Sequence, residues 1–437
     1  MNLFSVIAVA ILFTIVMVVF STETLDYLTV AIFSALLAAG ILYYTTDGTV
    51  NFTSFIGMIE FKPLLFIFGI QIVIAVSERQ KIFQYVAIQT IRLTKGNDRT
   101  LFYVICIIST LLAAVVADVT VAIIFAPLII RTCRILEIKP APYLFGMTIC
   151  INIGSMITPF SSSENIIIAG HFEEYAVNTI WFVKNVMVFG FIVLIVTMLL
   201  LDMLLLKKNV RVDPIRKELV RDILVPSAVI VDKKKFIMNS IFLTIVFISF
   251  FVFTDAYLVA LVGSILMILL NRQKLVDYFK KVEWEVMFFF ASLYIIIGCM
   301  IENGTIEVLT DFLNKILPSN PLVVSIFIVL LSSLLSGFLA NSPTTLMFLA
   351  IIDQLIIFNP SLSLNPNVLI IALLVGINMG GNFLPQGAAC DVMTLTIATR
   401  NNVEGFSFKT LTKNGALFAL IHIICGVVYI TFYYFIF

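Results

Sequence analysis

Two short polar segments interrupt long apolar runs at corresponding places in the chain. The first, ADVT, contains Asp118 and Thr120. The second, ANSPTT, contains Asn341, Ser342 and Thr344. Carboxylates and amides cost free energy inside a bilayer, so such residues in apolar segments commonly bind ions or substrates. Asp118 is the candidate coupling group, because a carboxylate there can exchange a proton for a cation.

Each polar segment is followed by a stretch that combines polar residues with glycine and proline. INIGSMITPFSSSENIIIAG follows the first, and INMGGNFLPQGAACDVMTLTIA follows the second. A broken helix exposes carbonyl groups that can hold a cation and N–H groups that favour an anion. Paired interrupted segments in two halves of a chain indicate a transporter binding site. The further candidate binding residues are Asn152, Gly154, Thr158, Ser161, Ser162, Ser163, Asn165, Asn378, Gly381, Asn382, Gln386, Gly387 and Asp391.

Simpler roles are open for several of these residues. Serine and threonine in membrane helices often bond back to the preceding turn. Asn341 can be an ordinary interhelical hydrogen-bonding residue. Glu164 and Asp391 can belong to the site or face a solvated vestibule. His171 is expected in an external loop, and His422 is expected to pack within the last span.

Composition places the chain among membrane proteins. Of 437 residues, 61% are hydrophobic and 12% charged, with a mean hydropathy of +1.11, whereas soluble domains carry about 25% charged residues. Apolar runs long enough to span a bilayer recur along the chain. No Walker A motif, zinc spacing or C-x-x-C is found, so we expect no ATPase site, enzyme or tightly bound cofactor. No basic tract with interleaved aromatics indicates a nucleic-acid partner.

The predicted fold is an all-α polytopic membrane protein with two inverted repeats. It has about ten spans, two re-entrant hairpins and two broken helices. Residues 1–206 form the first repeat, 207–236 a basic linker and 237–437 the second repeat. The hairpins are 101–136 and 321–358, and the broken helices are 141–170 and 367–399. The remaining spans are expected near 3–20, 25–44, 61–78, 178–206, 237–253, 256–271, 284–301 and 412–436.

Segment 101–136 is predicted to re-enter the membrane rather than cross it. A single helix of this length would extend about 54 Å, too long for a hydrocarbon core of about 30 Å. Basic residues flank both ends, so both ends are expected on one side, with Asp118 at the tip near the midplane. Segment 321–358 is likewise predicted to be a re-entrant hairpin, which enters from the other side of the membrane and has Asn341 at its tip. Pro343 suits the first turn of a returning helix.

The linker sets the predicted orientation. Segment 207–236 carries nine Lys or Arg against four acidic residues, and the positive-inside rule places it in the cytoplasm. Counting outward, segments 45–59, 171–180 and 359–366, which contain no Lys or Arg, and both termini fall outside. The halves are then inverted relative to one another. Asn152 also precedes Pro159 by the same number of residues as Asn378 precedes Pro385.

These residues give the chain a resemblance to the ion transporter superfamily, from about residue 25 to the end. The most similar branch is that of arsenite permeases and the P protein, with sodium–proton antiporters and citrate carriers beside it. GGNFLPQGAACDVMTLTIA and ADVTVAIIFAP carry the likeness. The resemblance implies a scaffold domain, a moving transport domain and dimerisation in some branches. The chain departs from the family pattern at Ser161, Ser162, Ser163 and Glu164 in the first break, and at Asp391 in the second.

The resulting hypothesis is a secondary active, elevator-like transporter of the plasma membrane, coupled to H⁺ or Na⁺. The expected substrate is a small anion or oxyanion, arsenite-like or a carboxylate. A Na⁺/H⁺ antiporter is the alternative, and an ion channel is a further one. A coupling Na⁺, if the protein uses one, is expected near Asp118 and Asn341. The expected partners are the lipid bilayer and the transported ion, and a second copy of the chain could form a homodimer.

Overall fold

The computed structural model describes residues 2–22, 25–46, 48, 50–206, 213–316, 320–339, 341–358 and 365–436. Within these residues the chain is helical and contains no β-strand, which confirms the all-α prediction. Nine of the described helices are long and apolar enough to cross a membrane. Three shorter apolar helices, of 10–17 residues, accompany them. Residues 207–212 at the start of the predicted linker, Ala340 at the second tip and residues 359–364 of the predicted outer segment lie outside the described residues.

The first half contains eleven α-helices. A π-helical turn at 183–187 joins the last two into one apolar segment. The helices are α1 Leu3–Thr22, α2 Tyr27–Thr45, α3 Phe52–Gly57, α4 Phe61–Arg79, α5 Ile82–Leu93, α6 Asp98–Ala113, α7 Asp118–Leu136, α8 Ala141–Gly154, α9 Ser163–His171, α10 Thr179–Phe182 and α11 Val188–Leu205.

The second half follows a short linker helix, which is α12. The apolar helix after it starts at Lys233, inside the predicted linker, because the Asp232 side chain accepts hydrogen bonds from the first-turn backbone and caps it. The helices are α12 Pro214–Ile223, α13 Lys233–Val252, α14 Ala256–Leu270, α15 Val276–Phe279, α16 Trp284–Glu302, α17 Thr305–Ile316, α18 Pro321–Leu339, α19 Asn341–Phe358, α20 Pro366–Gly380, α21 Ala389–Arg400 and α22 Phe408–Ile436.

Corresponding helices of the two halves pack on one another in a reciprocal way. Helix α2 packs on α16, and α14 packs on α4. Within each half a hairpin arm packs on the following broken helix, α6 on α8 and α18 on α20. Across the halves α7 packs on α21 and α19 packs on α9. This exchange of partners is what an inverted repeat produces, since each half supplies the same surfaces in opposite orientation.

The packing divides the described helices into two groups. The scaffold group is α1, α2, α4, α13, α14 and α16, which contact one another. The hairpin group is α6 to α9 and α18 to α21, with α11 and α22 packed against it. The groups meet along a seam where α4 packs on α9 and α16 packs on α19.

The molecule has two faces. The linker lies on one of them, and the helix ends farthest from the linker lie on the other. Arg216 of α12 pairs with Glu137, just after α7, at 2.6 Å, and a Cβ built on Gly96 would lie 3.0 Å from Lys217. Both ends of the first hairpin therefore lie beside the linker, on what we call the linker face. The start of α4 and the ends of α9 and α19 meet on the opposite face, where His171 contacts Glu60 and Asp353.

Glycines let each hairpin approach its broken helix closely. A Cβ built on Gly154 of α8 would lie 2.3 Å from the carbonyl oxygen of Thr110 in α6. At the repeat-related position a Cβ on Gly380 would lie 2.3 Å from the carbonyl oxygen of Ser333 in α18. Both contacts are with backbone, which cannot move aside as a side chain can. Gly154 is thus a packing residue of the hairpin rather than a group that contacts a ligand.

Replacing Gly154 by alanine should therefore destabilise the hairpin group. We expect Gly154→Ala to cost about 1–3 kcal/mol, the usual range for overpacking a well-packed site, and to lower the thermal unfolding temperature of the purified protein. Gly40→Ala is the matched control, because Gly40 also lies in an apolar helix but a Cβ there meets nothing within 4 Å. Equal unfolding temperatures for the two variants would contradict the packing argument.

The helices that were not anticipated from the sequence include a repeat-related pair. Helices α5 and α17 are each 12 residues long and amphipathic, and they occupy equivalent positions between the span and the hairpin of each half. Their length is below the roughly 20 residues that a span needs. A search for apolar runs passes over such helices, because their apolar residues recur only on one side.

Candidate functional site

A cavity of 490 Å³ lies where both hairpin tips and both helix breaks meet the scaffold group. Asp118 and Asn341 both line it, although they are far apart in sequence. The scaffold group contributes the remaining wall. The polar and small residues lining it are Gln71, Ala117, Asp118, Asn152, Ser155, Ser161, Ser162, Ser163, Glu164, Glu283, Asn341, Ser342, Asn378, Gln386, Gly387, Ala388, Ala389 and Thr396.

The cavity opens toward the linker face. Glu283, which lines it, precedes the linker-face end of α16 and is exposed. Its carboxylate accepts a hydrogen bond from the Gln71 side chain at 3.2 Å, and its backbone N–H donates to the same amide at 2.9 Å. On the opposite face the seam is closed by α4 against α9 and α16 against α19. Glu283 thus borders the cavity on the linker side, and packed helices border it on the opposite side.

Four helices begin at this cavity. Asp118, Ser163, Asn341 and Ala389 are the first residues of α7, α9, α19 and α21, and all four line the cavity. The N-terminus of a helix carries unsatisfied N–H groups and a partial charge of about +0.5. The converging N-termini thus give the cavity a built-in preference for negative charge.

Two of these N-termini lack a capping side chain at the usual position. Ala117 and Ala388 precede α7 and α21, and neither has a side-chain acceptor. Asp118 takes over this role. Its Oδ1 accepts a hydrogen bond from the N–H of Val119, at the start of α7, at 2.7 Å. Asp118 thus serves as an internal anion at the start of α7.

The first break is held open by amide side chains. Asn165 donates from Nδ2 to the carbonyl oxygens of Ser155 at 2.8 Å and Thr158 at 2.9 Å. Its Oδ1 in turn accepts from Nδ2 of Asn378, in the other half, at 3.1 Å. Asn165 is fully buried and lies behind the cavity wall. It fixes the unwound backbone and links the two halves.

Hydroxyl groups join the hairpin tips to the breaks. Ser342 at the second tip donates to Oε1 of Glu164 at 2.6 Å, so the carboxylate of the first broken helix holds the tip of the second hairpin. Thr158 donates to the carbonyl oxygen of Ala114 at 2.6 Å and joins the first break to the first tip. Ser336 donates to the carbonyl oxygen of Ile377 at 2.8 Å, and its hydroxyl also contacts the side chain of Asn341. These bonds tie tips and breaks into one unit.

Asp391 lies behind the cavity, not on its surface. It is buried, and the hydroxyl of Thr148 donates to its Oδ1. The neighbouring thiol of Cys390 donates to Oδ1 of Asn152 at 3.1 Å, and Nδ2 of Asn152 donates to Asn382 at 2.8 Å. These side chains form a second polar layer beneath Asn152.

The sequence candidates therefore separate into two sets. The structure brings Asp118, Asn152, Ser161, Ser162, Ser163, Asn341, Ser342, Asn378, Gln386 and Gly387 together around the cavity. Thr120, Gly154, Thr158, Asn165, Thr344, Gly381, Asn382 and Asp391 do not line it. Sequence reasoning missed the scaffold contribution, of which Gln71, Glu283, Tyr27, Phe20 and Phe289 are members. Only Gln71 carried a sequence signal, as a polar residue within an apolar span.

The charge of the cavity wall is negative. Asp118, Glu164 and Glu283 line it, and no Lys, Arg or His does so among the described residues. The described chain also contains no group of three His, Cys, Asp or Glu placed to hold a metal ion. A cation in the cavity would be held by carboxylate, hydroxyl, amide and carbonyl oxygens, which suit Na⁺ better than a soft metal.

Known proteins are similar to this chain in sequence. A family model described as citrate transporter matches residues 1–376. A 46 kDa membrane protein of Mycobacterium leprae is 27% identical over 384 residues, covering 85% of this chain and 86% of its own length. The human P protein is 24% identical over 456 residues, covering 87% of this chain but 54% of its own length.

A solved structure shares the fold. The crystal structure of the Alcanivorax borkumensis YdaH transporter matches with a TM-score of 0.61 and 13% identity, covering 87% of each chain. An uncharacterized transporter of Mycobacterium tuberculosis is 25% identical over 390 residues, covering 87% of this chain and 88% of its own length. The overall arrangement of helices is thus similar to that of the YdaH transporter.

Proposed function

The chain belongs to the citrate transporter family, and from that premise we propose that it moves a small anion or oxyanion together with H⁺ or Na⁺. The observation that carries the proposal is the convergence of four helix N-termini on a cavity that also holds Asp118 and Glu164. The N-termini favour an anion, and the carboxylates require a cation or proton to accompany it. Both partners of a symport thus have groups to bind them.

Asp118 couples the two ligands in this proposal. Its carboxylate accepts a hydrogen bond from the N–H of Val119 at the start of α7, and the start of α21 lines the same cavity. A substrate anion that takes this N–H group displaces the carboxylate. The displaced Asp118 is then stable only as the neutral acid or beside a Na⁺, because unpaired charges are costly in a membrane interior. The anion therefore binds with a proton or cation and not alone.

Movement of the hairpin group along the scaffold group provides alternating access. Hydrogen bonds between tips and breaks favour motion of the hairpin group as one unit. The cavity lies on the seam, so a displacement of this unit would open it to the opposite face. We further propose a plasma-membrane location with the linker face in the cytoplasm, supported by the basic residues of the linker.

A Na⁺/H⁺ antiporter is the second candidate. The observation in its favour is the three carboxylates that line the cavity, with no basic side chain beside them in the described part of the chain. In that case Asp118 would exchange a proton for Na⁺ and the helix N-termini would only hold Asp118. The candidates differ in whether an anion stabilises the protein.

A thermal-shift screen of the purified protein tests the proposal. Citrate, succinate, arsenite and chloride are each added with Na⁺ or with K⁺, at an acid and a neutral pH. A ligand at a hundredfold its Kd stabilises the folded state by about 2.7 kcal/mol. We expect stabilisation by one of the first three ligands, and only in the presence of Na⁺ or at acid pH. Stabilisation by Na⁺ alone, with no anion effect, would favour the antiporter instead.

A further inference from the structure

His171 makes two close contacts with carboxylates at the opposite face. Its Nδ1 lies 2.6 Å from Oε1 of Glu60, and its Nε2 lies 2.7 Å from Oδ2 of Asp353. A neutral imidazole has a single N–H and can donate to only one of them. Both contacts are hydrogen bonds to carboxylates when the ring is the doubly protonated imidazolium. The geometry therefore describes a bound proton between two acidic side chains.

The cluster spans the seam between the two groups of helices. Glu60 immediately precedes α4 of the scaffold group. His171 ends α9 and Asp353 lies in α19, and both belong to the hairpin group. Only the contact between His171 and Glu60 therefore crosses the seam. Sliding of the hairpin group would break that contact and leave the one with Asp353 intact.

Water can reach the cluster. The side chain of His171 is 21% exposed, and those of Glu60 and Asp353 are each 33% exposed. A cavity of 190 Å³ beside it is lined by Glu60, His171, Tyr294 and Glu302. The buried Tyr294 hydroxyl has no partner among the described residues. A proton can thus enter or leave from the opposite face without passing through the central cavity.

Other charged groups around His171 do not replace its partners. Lys62 lies nearby but pairs with Glu173, so it does not neutralise Glu60 or Asp353. The titratable and charged groups facing the cluster are Glu60, Lys62, Tyr294 and Glu302 from the scaffold group, and Asp353, Glu173, Glu174 and Tyr175 from the hairpin group and the turn after α9.

We propose that Glu60, His171 and Asp353 form a second proton-binding site, which holds the two groups of helices together at the opposite face and opens when its proton leaves. The inference rests on the sliding motion in the proposed function. It adds a site that binds a proton without contacting the transported substrate. The transport cycle is then sensitive to pH at that face, independently of Asp118.

The direction of the pH effect follows from the contacts. Burial lowers the pKa of His171, but the hydrogen bonds with Asp353 and Glu60 outweigh it and raise the pKa to about 10. After separation His171 loses Glu60, and its pKa falls toward the ordinary value of about 6.5. The stabilisation of the closed seam is then full below the lower value and is lost as pH rises toward the higher one. Rising pH between them favours separation.

Pulsed electron spin resonance can follow the separation in the full chain. Spin labels at positions 280 and 402 would report it, because Lys280 follows α15 beside the scaffold and Asn402 follows α21, and both are exposed at the linker face. We expect one distance near pH 7 and a second that grows as pH approaches about 9. The ratio of the two should change by up to about tenfold per pH unit, the slope for one linked proton.

His171→Gln should make that ratio independent of pH, because glutamine keeps hydrogen bonds but cannot bind the proton. Glu60→Gln serves as a second variant and should shift the transition to lower pH. Lys62→Gln is the matched control, since it removes a neighbouring ion pair without removing the titrating group. It should change the ratio at every pH but keep the slope.

A parent profile without pH dependence, or the parent slope retained in His171→Gln, would overturn the inference. Size-exclusion chromatography and the unfolding temperature identify a variant that has not folded. The thermal-shift screen separates this failure from failure of the proposed function. If citrate or arsenite still stabilises the parent, only the second proton site is lost, whereas absence of any ligand effect removes the proposed function.

Discussion

Asp118→Asn should strongly reduce gradient-driven accumulation while leaving the protein folded and in the membrane. Asparagine has the same size and still accepts a hydrogen bond from the N–H of Val119, but it carries no charge and binds no proton. A hydrogen bond to a charged group is worth roughly 1.5–3 kcal/mol, so coupling should weaken by about tenfold or more. Uptake into proteoliposomes under an imposed H⁺ or Na⁺ gradient measures the loss.

A second transport measurement and a control variant accompany this prediction. Downhill exchange of substrate by Asp118→Asn should survive better than accumulation, because the N-termini of α7 and α21 remain. Asp277→Asn is the matched control, since Asp277 is exposed near the linker face and lies outside the cavity. If Asp118→Asn accumulates substrate with the parent pH profile, Asp118 is not the coupling group. Glu164→Gln would then be the next variant to measure, because Glu164 also lines the cavity.

A crosslink across the seam should stop transport completely. A Cβ built on Gly170, in α9, lies 3.7 Å from Cβ of Pro63, in α4, within the range of about 3.5–4.5 Å that a disulfide requires. The double variant Pro63→Cys and Gly170→Cys should transport when reduced and lose transport when oxidised. The physical reason is that the bond fixes the hairpin group to the scaffold group at the opposite face.

The matched crosslink lies within the hairpin group. Ala114→Cys with Thr158→Cys joins the first tip to the first break, where the Thr158 hydroxyl already contacts the Ala114 carbonyl. Its oxidation should leave most of the transport rate intact, since the two positions move together. If this inner crosslink blocks transport and the seam crosslink does not, the division into two groups is wrong. Gel mobility after protease cleavage confirms that each bond has formed.

Much of the architecture could be predicted because polar residues are rare in this chain. The apolar background made Asp118 and Asn341 visible as interruptions, and the shared order of Asn152 and Asn378 made the repeat visible. The all-α prediction and the family resemblance are confirmed. Helices α5 and α17 were missed, because amphipathic helices of 12 residues produce no continuous apolar run.

The division between cavity wall and supporting layer could not be predicted. Asn165 and Asp391 occupy related places in the two breaks, and both looked like ligand-binding residues. The structure turns Asn165 toward the unwound backbone and Asp391 toward Thr148. In an unwound segment, local backbone geometry decides whether a side chain points into the cavity or away from it. That geometry has no fixed period, so sequence spacing does not predict the direction. Glu283 was missed because it stands at the end of a span, where carboxylates are common.

His171 shows the same limit for single charged residues. Its sequence neighbours Glu173 and Glu174 suggested an ordinary external loop. Its partners Glu60 and Asp353 are more than a hundred residues away in either direction, so only the fold brings them together. Contacts of this kind depend on how the two helix groups pack against each other, and a single sequence does not predict that packing.

Solute accumulation in proteoliposomes tests the central claim most directly. Purified protein is reconstituted in sealed vesicles, and uptake of citrate, arsenite or Na⁺ is followed with an imposed H⁺ gradient, an imposed Na⁺ gradient or neither. A secondary transporter concentrates its substrate above the external level only while the driving gradient lasts, and an uncoupler reverses the accumulation. We expect this result for one of the anions. If the internal concentration only reaches the external one, whichever gradient is imposed, the protein behaves as a channel. That result would contradict the account.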